Sequence, residues 1–307
     1  MRAAVLLALL LLAHSPAVQA QPPSPATTPT PAPAPAPQPA KGADDAFQAY
    51  EAGGFSRAMR EAKARLAANP SDTPAILLIG RLHAEGAGVA RDPKEAGVWF
   101  RRAADLGDPQ GAYLYAAALL AKAPATRDRK TAQSYLEKAA AKNNAAAINL
   151  LGELALENNG AFADLEKAAD YFKRAADLGD TDARYALGEL YLHGKGVAKD
   201  GGEAAHWFEL AANGDHAGAM VELAILKFNG LGVERDEAGA AKLFQKAATL
   251  GNAVAQNRLA YLYAQGRGVE KDSVKAKQWR DRATQAGLKD ARLDGMLSAP
   301  VPEPKTK

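Results

Sequence analysis

The chain has 307 residues and no cysteine, and its 38 lysines and arginines against 35 aspartates and glutamates give a formal net charge of +3. The lack of cysteine excludes disulfide bridges, thiolate metal ligands and a cysteine nucleophile. A charge this small, without a dense basic run, does not indicate nucleic-acid binding. Alanine makes up nearly a quarter of the residues. Because alanine has the highest helix propensity, the composition predicts a largely helical protein.

The N-terminal sequence predicts an export signal. After Arg2, an apolar run over residues 3–13 is too short to span a bilayer, and residues 18–20 (VQA) offer the small-x-small pattern that signal peptidase cleaves. We therefore expect residues 1–20 to be a cleaved signal peptide and the protein to be exported, with the periplasm favoured over the extracellular medium. An uncleaved membrane anchor is the alternative, and Pro16 argues against it.

Residues 21–43 are predicted to form a disordered linker rich in proline and alanine. Half of the 18 prolines lie between residues 21 and 40, a stretch without charge. Such a composition buries too little apolar surface to offset the entropy of ordering, and alternating Pro-Ala favours extended polyproline II. A ligand for proline-recognising domains is the alternative interpretation. A shorter tail of similar character, residues 299–307, is also predicted to be disordered.

The central part of the chain repeats with a period of 36 residues. One column contains only aspartate: Asp92, Asp128, Asp164, Asp200, Asp236 and Asp272. A second contains only alanine: Ala103, Ala139, Ala175, Ala211, Ala247 and Ala283. A third has a large side chain in every copy: Trp99, Tyr135, Tyr171, Trp207, Leu243 and Trp279. Columns that stay in register over six copies indicate a repeat array, which we place at residues 73–288.

Each repeat is predicted to contain two helices. In the fourth copy, Leu187 and Leu190 belong to an apolar stripe with helical spacing, which predicts a first helix, helix A. A Gly-x-Gly turn ends it, and Asp200 is predicted to cap the second helix, helix B, with its carboxylate. Gly214 is expected to end helix B in a left-handed conformation. The alanine columns allow close helix packing, and the large side chain of the third column is expected to fill the remaining gap.

Two end pieces are predicted around the array. Residues 44–72 have the pattern of an N-terminal helix pair, and residues 289–298 that of a C-terminal capping helix. Solenoids need such ends because a terminal repeat has no neighbour to cover it. In the first repeat, Glu95 follows Asp92 by three residues, which predicts a capping box.

The repeats resemble the Sel-one-like repeat (SLR) family of the tetratricopeptide superfamily, through the stretches ALGELYLHGKGVAKDGGEAAHWFELAANGD, ILLIGRLHAEGAGVARDPKEAGVWFRRAADLGD and RLAYLYAQGRGVEKDSVKAKQWRDRATQAG. The resemblance implies an all-α fold, a right-handed superhelical solenoid of helix hairpins whose A helices line a concave face. Residues 122–125 and 158–161 depart from the Gly-x-Gly-Val pattern, so these two loops are expected to differ in shape.

The resemblance also implies a function. Such proteins act as adaptors for other proteins, and the exported bacterial members are associated with envelope assembly, signalling and host interaction. Some cysteine-rich secreted relatives are linked to β-lactam binding or hydrolysis. Binding or hydrolysis of β-lactams or peptidoglycan fragments is therefore the alternative, although this chain lacks the paired cysteines of those relatives.

Motifs that would indicate an enzyme are absent from the sequence. The Gly-x-Gly turns follow no strand and lack the Gly-Lys-Ser/Thr of a phosphate-binding loop. The column aspartates stand a repeat apart, and the histidines have no metal-ligand spacing. Neither Ser-x-x-Lys nor Gly-x-Ser-x-Gly occurs. We therefore interpret the chain as a non-enzymatic monomer without cofactor or metal, which binds other proteins and has no transmembrane segment after signal cleavage.

A candidate protein-binding surface lies on helix A, at positions that the repeat does not fix. Two positions per helix, in the register of Tyr185 and Glu189, point away from the apolar stripe. We define the helix-A strip as eight residues at these positions: Arg81, Tyr113, Asn149, Glu153, Tyr185, Glu189, Asn257 and Tyr261. Tyrosine and arginine are favoured anchors at protein interfaces, so the strip is our candidate surface. An ordinary solvated face is the alternative.

Overall fold

The computed structural model describes residues 45–121, 126–157 and 164–298. Within these ranges the chain forms fifteen α-helices and no strand, which confirms the all-α prediction. The predicted signal peptide, linker and tail, and the two loops expected to differ in shape, lie outside the described residues.

The helices are numbered in chain order. They are α1 Asp45–Glu51, α2 Phe55–Ala68, α3 Thr73–Glu85, α4 Pro93–Asp105, α5 Pro109–Leu120, α6 Thr126–Ala140, α7 Ala145–Leu156, α8 Leu165–Asp177, α9 Thr181–His193, α10 Gly201–Asn213, α11 Ala217–Asn229, α12 Glu237–Thr249, α13 Ala253–Gln265, α14 Ser273–Gln285 and α15 Ala291–Ser298. Helix A of each repeat has an odd number, from α3 to α13, and helix B an even number, from α4 to α14.

The helices fall into two compact units, one containing α1–α6 and the other α7–α15. Within each unit, every helix packs against the next one along the chain. Packing between sequential neighbours is typical of a helical solenoid. The cores consist largely of alanine, with leucine and phenylalanine between the alanines.

The closest packing within a repeat joins a small residue on helix A to a ring on helix B. A Cβ atom added to the glycine would lie 2.6 or 2.7 Å from a ring carbon in three repeats: Gly80–Phe100, Gly152–Phe172 and Gly188–Phe208. All three rings are buried. Because any side chain at the glycine would overlap the ring, the contact fixes how closely helix A approaches helix B.

The sequence predicted that the column of Trp99 fills the gap between helices A and B, but the rings that pack against the glycines belong to the next column, that of Phe100. Trp99 and Trp279 are only half-buried, although Trp207 is buried. The indole Nε1 of Trp99 donates a hydrogen bond to Glu95 at 2.9 Å, beside the tightly packed ring of Phe100. Consecutive residues point about 100° apart around a helix, so the ring of Phe100 lies over the glycine, whereas of Trp99 it is the Cβ atom that is near, 3.2 Å from the added atom.

Aspartate side chains cap helix B in five of the six repeats, as predicted. Each accepts hydrogen bonds from backbone N–H groups in the first turn: Asp92, Asp164, Asp200, Asp236 and Asp272. The prediction for Asp128 was wrong, because α6 begins earlier, at Thr126, and places Asp128 within its first turn. The capping box was also wrong. The Glu95 side chain accepts from Trp99, and the backbone N–H of Asp92 donates to the carbonyl of His83 at 2.8 Å.

The left-handed residue after α10 is Asp215, with φ of 62°, and not Gly214, with φ of −89°. Four other repeats have glycine at the position of Asp215, and the second repeat has Asn143, with φ of 57°. Short polar side chains tolerate this conformation because they can hydrogen-bond locally. The prediction for Gly214 failed because the glycine of this repeat is displaced by one residue.

A second column of caps lies at the start of helix A and was missed in the sequence. Side chains at this register accept a hydrogen bond from the backbone N–H three residues later: Asp72, Asp108, Asp180, His216 and Asn252. The period of 36 contains the signal, because these residues also recur in register. His216 differs from the others, since its Nδ1 must be unprotonated to accept from Ala219 at 2.9 Å.

The contact between Gly188 and Phe208 predicts a coupled stability change. Gly188→Ala should lower the free energy of unfolding by about 1–3 kcal/mol, because the new methyl overlaps the ring. Phe208→Leu in the same chain should relieve the overlap, since the second repeat has Ala116 and Leu136 at these positions, both fully buried. Urea unfolding followed by far-UV circular dichroism measures the effect of each change and of the pair.

Gly97→Ala is the matched control, because no atom lies within 4 Å of the added Cβ. In a helix this change should leave stability equal or raise it by up to about 1 kcal/mol. If Gly188→Ala were as harmless as Gly97→Ala, the close contact would not constrain the fold.

Candidate protein-binding surface on the helix-A strip

The helix-A strip has members in both compact units, and two of them, Arg81 and Tyr113, lie in the first unit. The Arg81 guanidinium lies 5.9 Å from the ring centroid of Phe47 and 5.7 Å from that of Tyr50, within the range of cation–π contacts. Tyr113 is half-buried and packs against the apolar cluster around Phe100. In this unit the strip residues therefore stabilise contacts within the chain.

Asn149 begins the strip in the second unit and is less open than predicted. Its side chain is buried, with 9% of the residue exposed, and its Nδ2 donates to Oε1 of Glu153 at 3.3 Å. The Oδ1 atom has no hydrogen-bond partner in the described parts of the chain. Burial, followed by the negative charges of Asp182 and Glu157, raises the pKa of Glu153 to about 7. The pair is therefore sensitive to pH near neutrality.

Tyr185 lies at the centre of the strip and is held by two rings. It stacks on His216 with a centroid distance of 4.4 Å and packs against Phe208 at 5.7 Å. The Nε2 atom of His216 lies 3.6 Å from Asp182, and burial lowers the pKa of this histidine. Burial and the charge of Glu189 raise the pKa of Tyr185 to about 12, so its hydroxyl remains a donor at neutral pH.

Acidic side chains surround Tyr185. Glu189 lies 3.6 Å from the imidazole of His193, one turn further along α9. Glu222, on the next helix A, is half-buried, and burial together with the charge of Glu189 raises its pKa. Both carboxylates contribute to the raised pKa of the tyrosine. The centre of the strip therefore presents a fixed aromatic ring in a negatively charged environment.

Asn257 and Tyr261 end the strip with hydrogen bonds to Asp290. The Asn257 amide donates to one carboxylate oxygen at 2.9 Å, and the Tyr261 hydroxyl lies 3.1 Å from both oxygens. Asp290 also accepts from the backbone N–H groups at the start of α15. These hydrogen bonds, that from Asn257 first, lower the pKa of Asp290. The two strip residues therefore attach the closing helix to the last repeat.

The structure thus divides the predicted strip into residues with different roles. Tyr185, Glu189 and Glu153 form its acidic centre, whereas the other five make contacts that stabilise the chain. The sequence analysis missed Asp182, His216 and Glu222, which border the centre. These residues lie outside the two registers considered: Asp182 is on the same helix as Tyr185, while His216 caps the next helix A and Glu222 lies within it.

Neither a metal site nor a membrane span is found in residues 45–121, 126–157 and 164–298. No group of three or more histidine, aspartate or glutamate side chains there has the geometry to hold a metal ion. No helix in these ranges is both long and apolar enough to cross a bilayer.

The family model of the Sel1 repeat matches six consecutive stretches of this chain: 73–108, 109–144, 145–180, 181–216, 217–252 and 253–288. The matches cover more than half of the sequence, and the chain therefore belongs to the Sel1 repeat family. This confirms the resemblance noted in the sequence. Proteins of this family are generally protein-interaction scaffolds.

Two solved structures illustrate the similarity. A Sel1 repeat protein from Oxalobacter formigenes is 29% identical, with a TM-score of 0.71 over 80% of this chain and 99% of that one. A protective antigen of uropathogenic Escherichia coli with an SLR fold is 28% identical, with a TM-score of 0.67 over 75% of this chain. This chain spans about half of the E. coli protein, 49% of its length. Among curated proteins, none matches the sequence significantly.

The raised pKa of Glu153 predicts a pH-dependent gain in stability for Glu153→Gln. A carboxyl whose pKa is raised on folding destabilises the native state increasingly as pH rises from its ordinary value through the native one. Near pH 5 the neutral glutamine should change little, whereas near pH 8 it should raise the free energy of unfolding by about 1–3 kcal/mol. Urea unfolding at both pH values measures the difference.

Glu209→Gln serves as the control because Glu209 is exposed on helix B. This change should have the same small effect at both pH values. A gain from Glu153→Gln that is equal near pH 5 and near pH 8 would contradict the assignment of a raised pKa to this carboxyl.

Proposed function

We propose that the chain is an exported, non-enzymatic adaptor of the bacterial cell envelope, which binds another protein through the helix-A strip. The resemblance to SLR proteins implies that this face is concave. Membership of a family of protein-interaction scaffolds supports the adaptor role. The signal-like sequence of residues 1–20 supports export, and the periplasm is the location we propose.

The proposal rests on the environment of Tyr185. Its ring is fixed by His216 and Phe208, and its hydroxyl makes no hydrogen bond to any residue that the structure describes. A tyrosine held in this way can contribute apolar area and one hydrogen bond to a partner at little cost in side-chain entropy. Such rigid amphipathic residues are frequent hot spots of protein interfaces.

The charges around Tyr185 indicate what the partner presents at this point. Asp182, Glu189 and Glu222 lie around the tyrosine, and the last two are close enough to affect its pKa. Complementary charge raises association rates and specificity. We therefore expect the partner to place lysine or arginine next to Tyr185. Nothing in the site favours the β-lactam or peptidoglycan alternative, which we do not pursue.

The partner surface is tested by affinity capture from envelope extract with crosslinking. Tyr185→Phe with Glu189→Gln keeps the ring packing and removes the free hydroxyl and one charge. This pair should reduce the yield of the captured partner about five- to tenfold, the effect of losing one or two interface hydrogen bonds. Quantitative mass spectrometry of the captured proteins measures the yield.

Tyr171→Phe with Glu209→Gln is the matched control, because it makes the same chemical changes on the B helices α8 and α10. It should leave the yield unchanged. Equal yields from the two variants would reject the strip as the binding surface, and a wild-type chain that captures no protein would reject the adaptor role.

The proposed location has a separate test. Cell fractionation should recover the protein from the periplasm, and N-terminal sequencing should begin at Gln21, the residue after the predicted cleavage point. A cytoplasmic protein that retains residues 1–20 would contradict the proposal of export.

A further inference from the structure

An open cleft in the second compact unit lies beside the last residue of the helix-A strip. It has a volume of about 530 Å³ and lies between α11, α13 and the start of α15. Its accessible apolar surface comes mainly from Ile225 and Phe228, since Phe244 and Leu262 also line it but are buried in the core. The volume falls within the range of about 300–1,000 Å³ that is typical of ligand sites in proteins.

Three arginines line this cleft, and one of them is already used within the chain. Arg267 donates two hydrogen bonds to Glu237, at 2.6 and 3.3 Å, and its guanidinium lies 4.1 Å from the ring centroid of Phe228. The carboxylate, which also pairs with Arg235, and the ring together fix its position. Arg267 is therefore part of the wall of the cleft.

The other two arginines are free to bind a ligand. Arg258 and Arg292 are exposed, and neither side chain forms an ion pair or hydrogen bond with any described residue. The positive charges of both act on the hydroxyl of Tyr261 and oppose the rise of its pKa, so both lie near the same wall. Asp290, the carboxylate of the lining, is instead hydrogen-bonded to Asn257, Tyr261 and the start of α15.

The cleft therefore combines a small apolar surface with two guanidinium groups that form no ion pair with a described residue, although the charge of Arg258 also acts on Glu222. Guanidinium groups bind carboxylates through paired, charge-assisted hydrogen bonds. The side-chain amides of Asn229 and Gln265 also line the cleft and can bind a peptide backbone. A phosphate polymer is a weaker match, because the chain has a net charge of only +3 and no basic run.

We propose that this cleft binds an acidic segment of the partner protein, with a carboxylate between Arg258 and Arg292 and a neighbouring apolar side chain against Ile225 and Phe228. The inference rests on the proposed adaptor function and names the chemistry of one segment that it binds. The acidic centre of the strip then binds a basic part of the partner, and the cleft binds an acidic part of the same partner.

Fluorescence anisotropy of labelled model peptides tests the cleft with the full chain. The probe is fluorescein-Glu-Asp-Phe-Glu-Glu, and the comparison peptide has lysine in place of every acidic residue. The acidic probe should bind, and its affinity should fall as sodium chloride is added. The lysine peptide should bind at least about tenfold more weakly. Replacing the phenylalanine of the probe by alanine should weaken binding about fivefold or more.

Two double variants locate the binding site. Arg258→Gln with Arg292→Gln should lower the affinity for the acidic probe at least about tenfold. Lys242→Gln with Lys277→Gln removes the same charge from exposed positions on α12 and α14, the B helices of the last two repeats, and should leave the affinity unchanged. Equal losses in the two double variants, or equal affinity for the acidic and lysine peptides, would overturn the proposal.

The same assay distinguishes the proposed partner segment from two other possible occupants of the cleft. A labelled peptide of residues 299–307 that binds more tightly than the acidic probe would assign the cleft to the chain's own tail, and self-association abolished by the arginine variant would assign it to a second copy. Either result overturns the inference.

If partner capture depends on Tyr185 but not on the arginines, the inference fails and the adaptor function stands. If the acidic probe binds in the cleft while no partner is captured, the adaptor function fails instead.

Discussion

A small helix-A residue opposite a buried helix-B side chain is the packing constraint shared by the first five repeats, as glycine opposite phenylalanine in three of them and as buried alanine in the other two. At Gly152 and Gly188 a single added carbon would lie 2.7 and 2.6 Å from a ring carbon, so the ring of helix B packs directly against the backbone of helix A. This contact fixes the rotation of helix A about its own axis and therefore decides which of its residues face outward. The repeated caps at both helix starts then keep the lengths of the helices uniform.

The same helix starts also shape the candidate site. His216 caps α11 through Nδ1 and supports the ring of Tyr185 with its flat face, so one side chain joins the local structure of a helix to the binding surface. The end of the array differs, because Arg280 stands in the register of Phe100 and bonds Asp294 of the closing helix at 2.5 Å. The closing helix also supplies Asp290 and Arg292 to the basic cleft.

The period of 36 residues was sufficient to predict the repeat array, the two helices of each repeat and most of the helix-B caps. It did not distinguish Trp99 from Phe100 as the helix-B residue whose ring faces helix A, because both columns are apolar and only the rotation of the helix separates them. The strip was harder to predict. The burial of Asn149 and the pairing of Tyr261 with Asp290 depend on neighbouring helices, which the pattern of one helix does not contain.

We propose that the chain binds its partner with the A helices and leaves the B helices free. Hydroxyl-radical footprinting of the chain, alone and with the captured partner bound, measures this side chain by side chain. We expect Tyr185 and Tyr261 to lose reactivity in the complex, while Tyr171 and Trp279 on the B helices keep it. Protection of Tyr171 and Trp279, with Tyr185 and Tyr261 unchanged, would contradict the proposal.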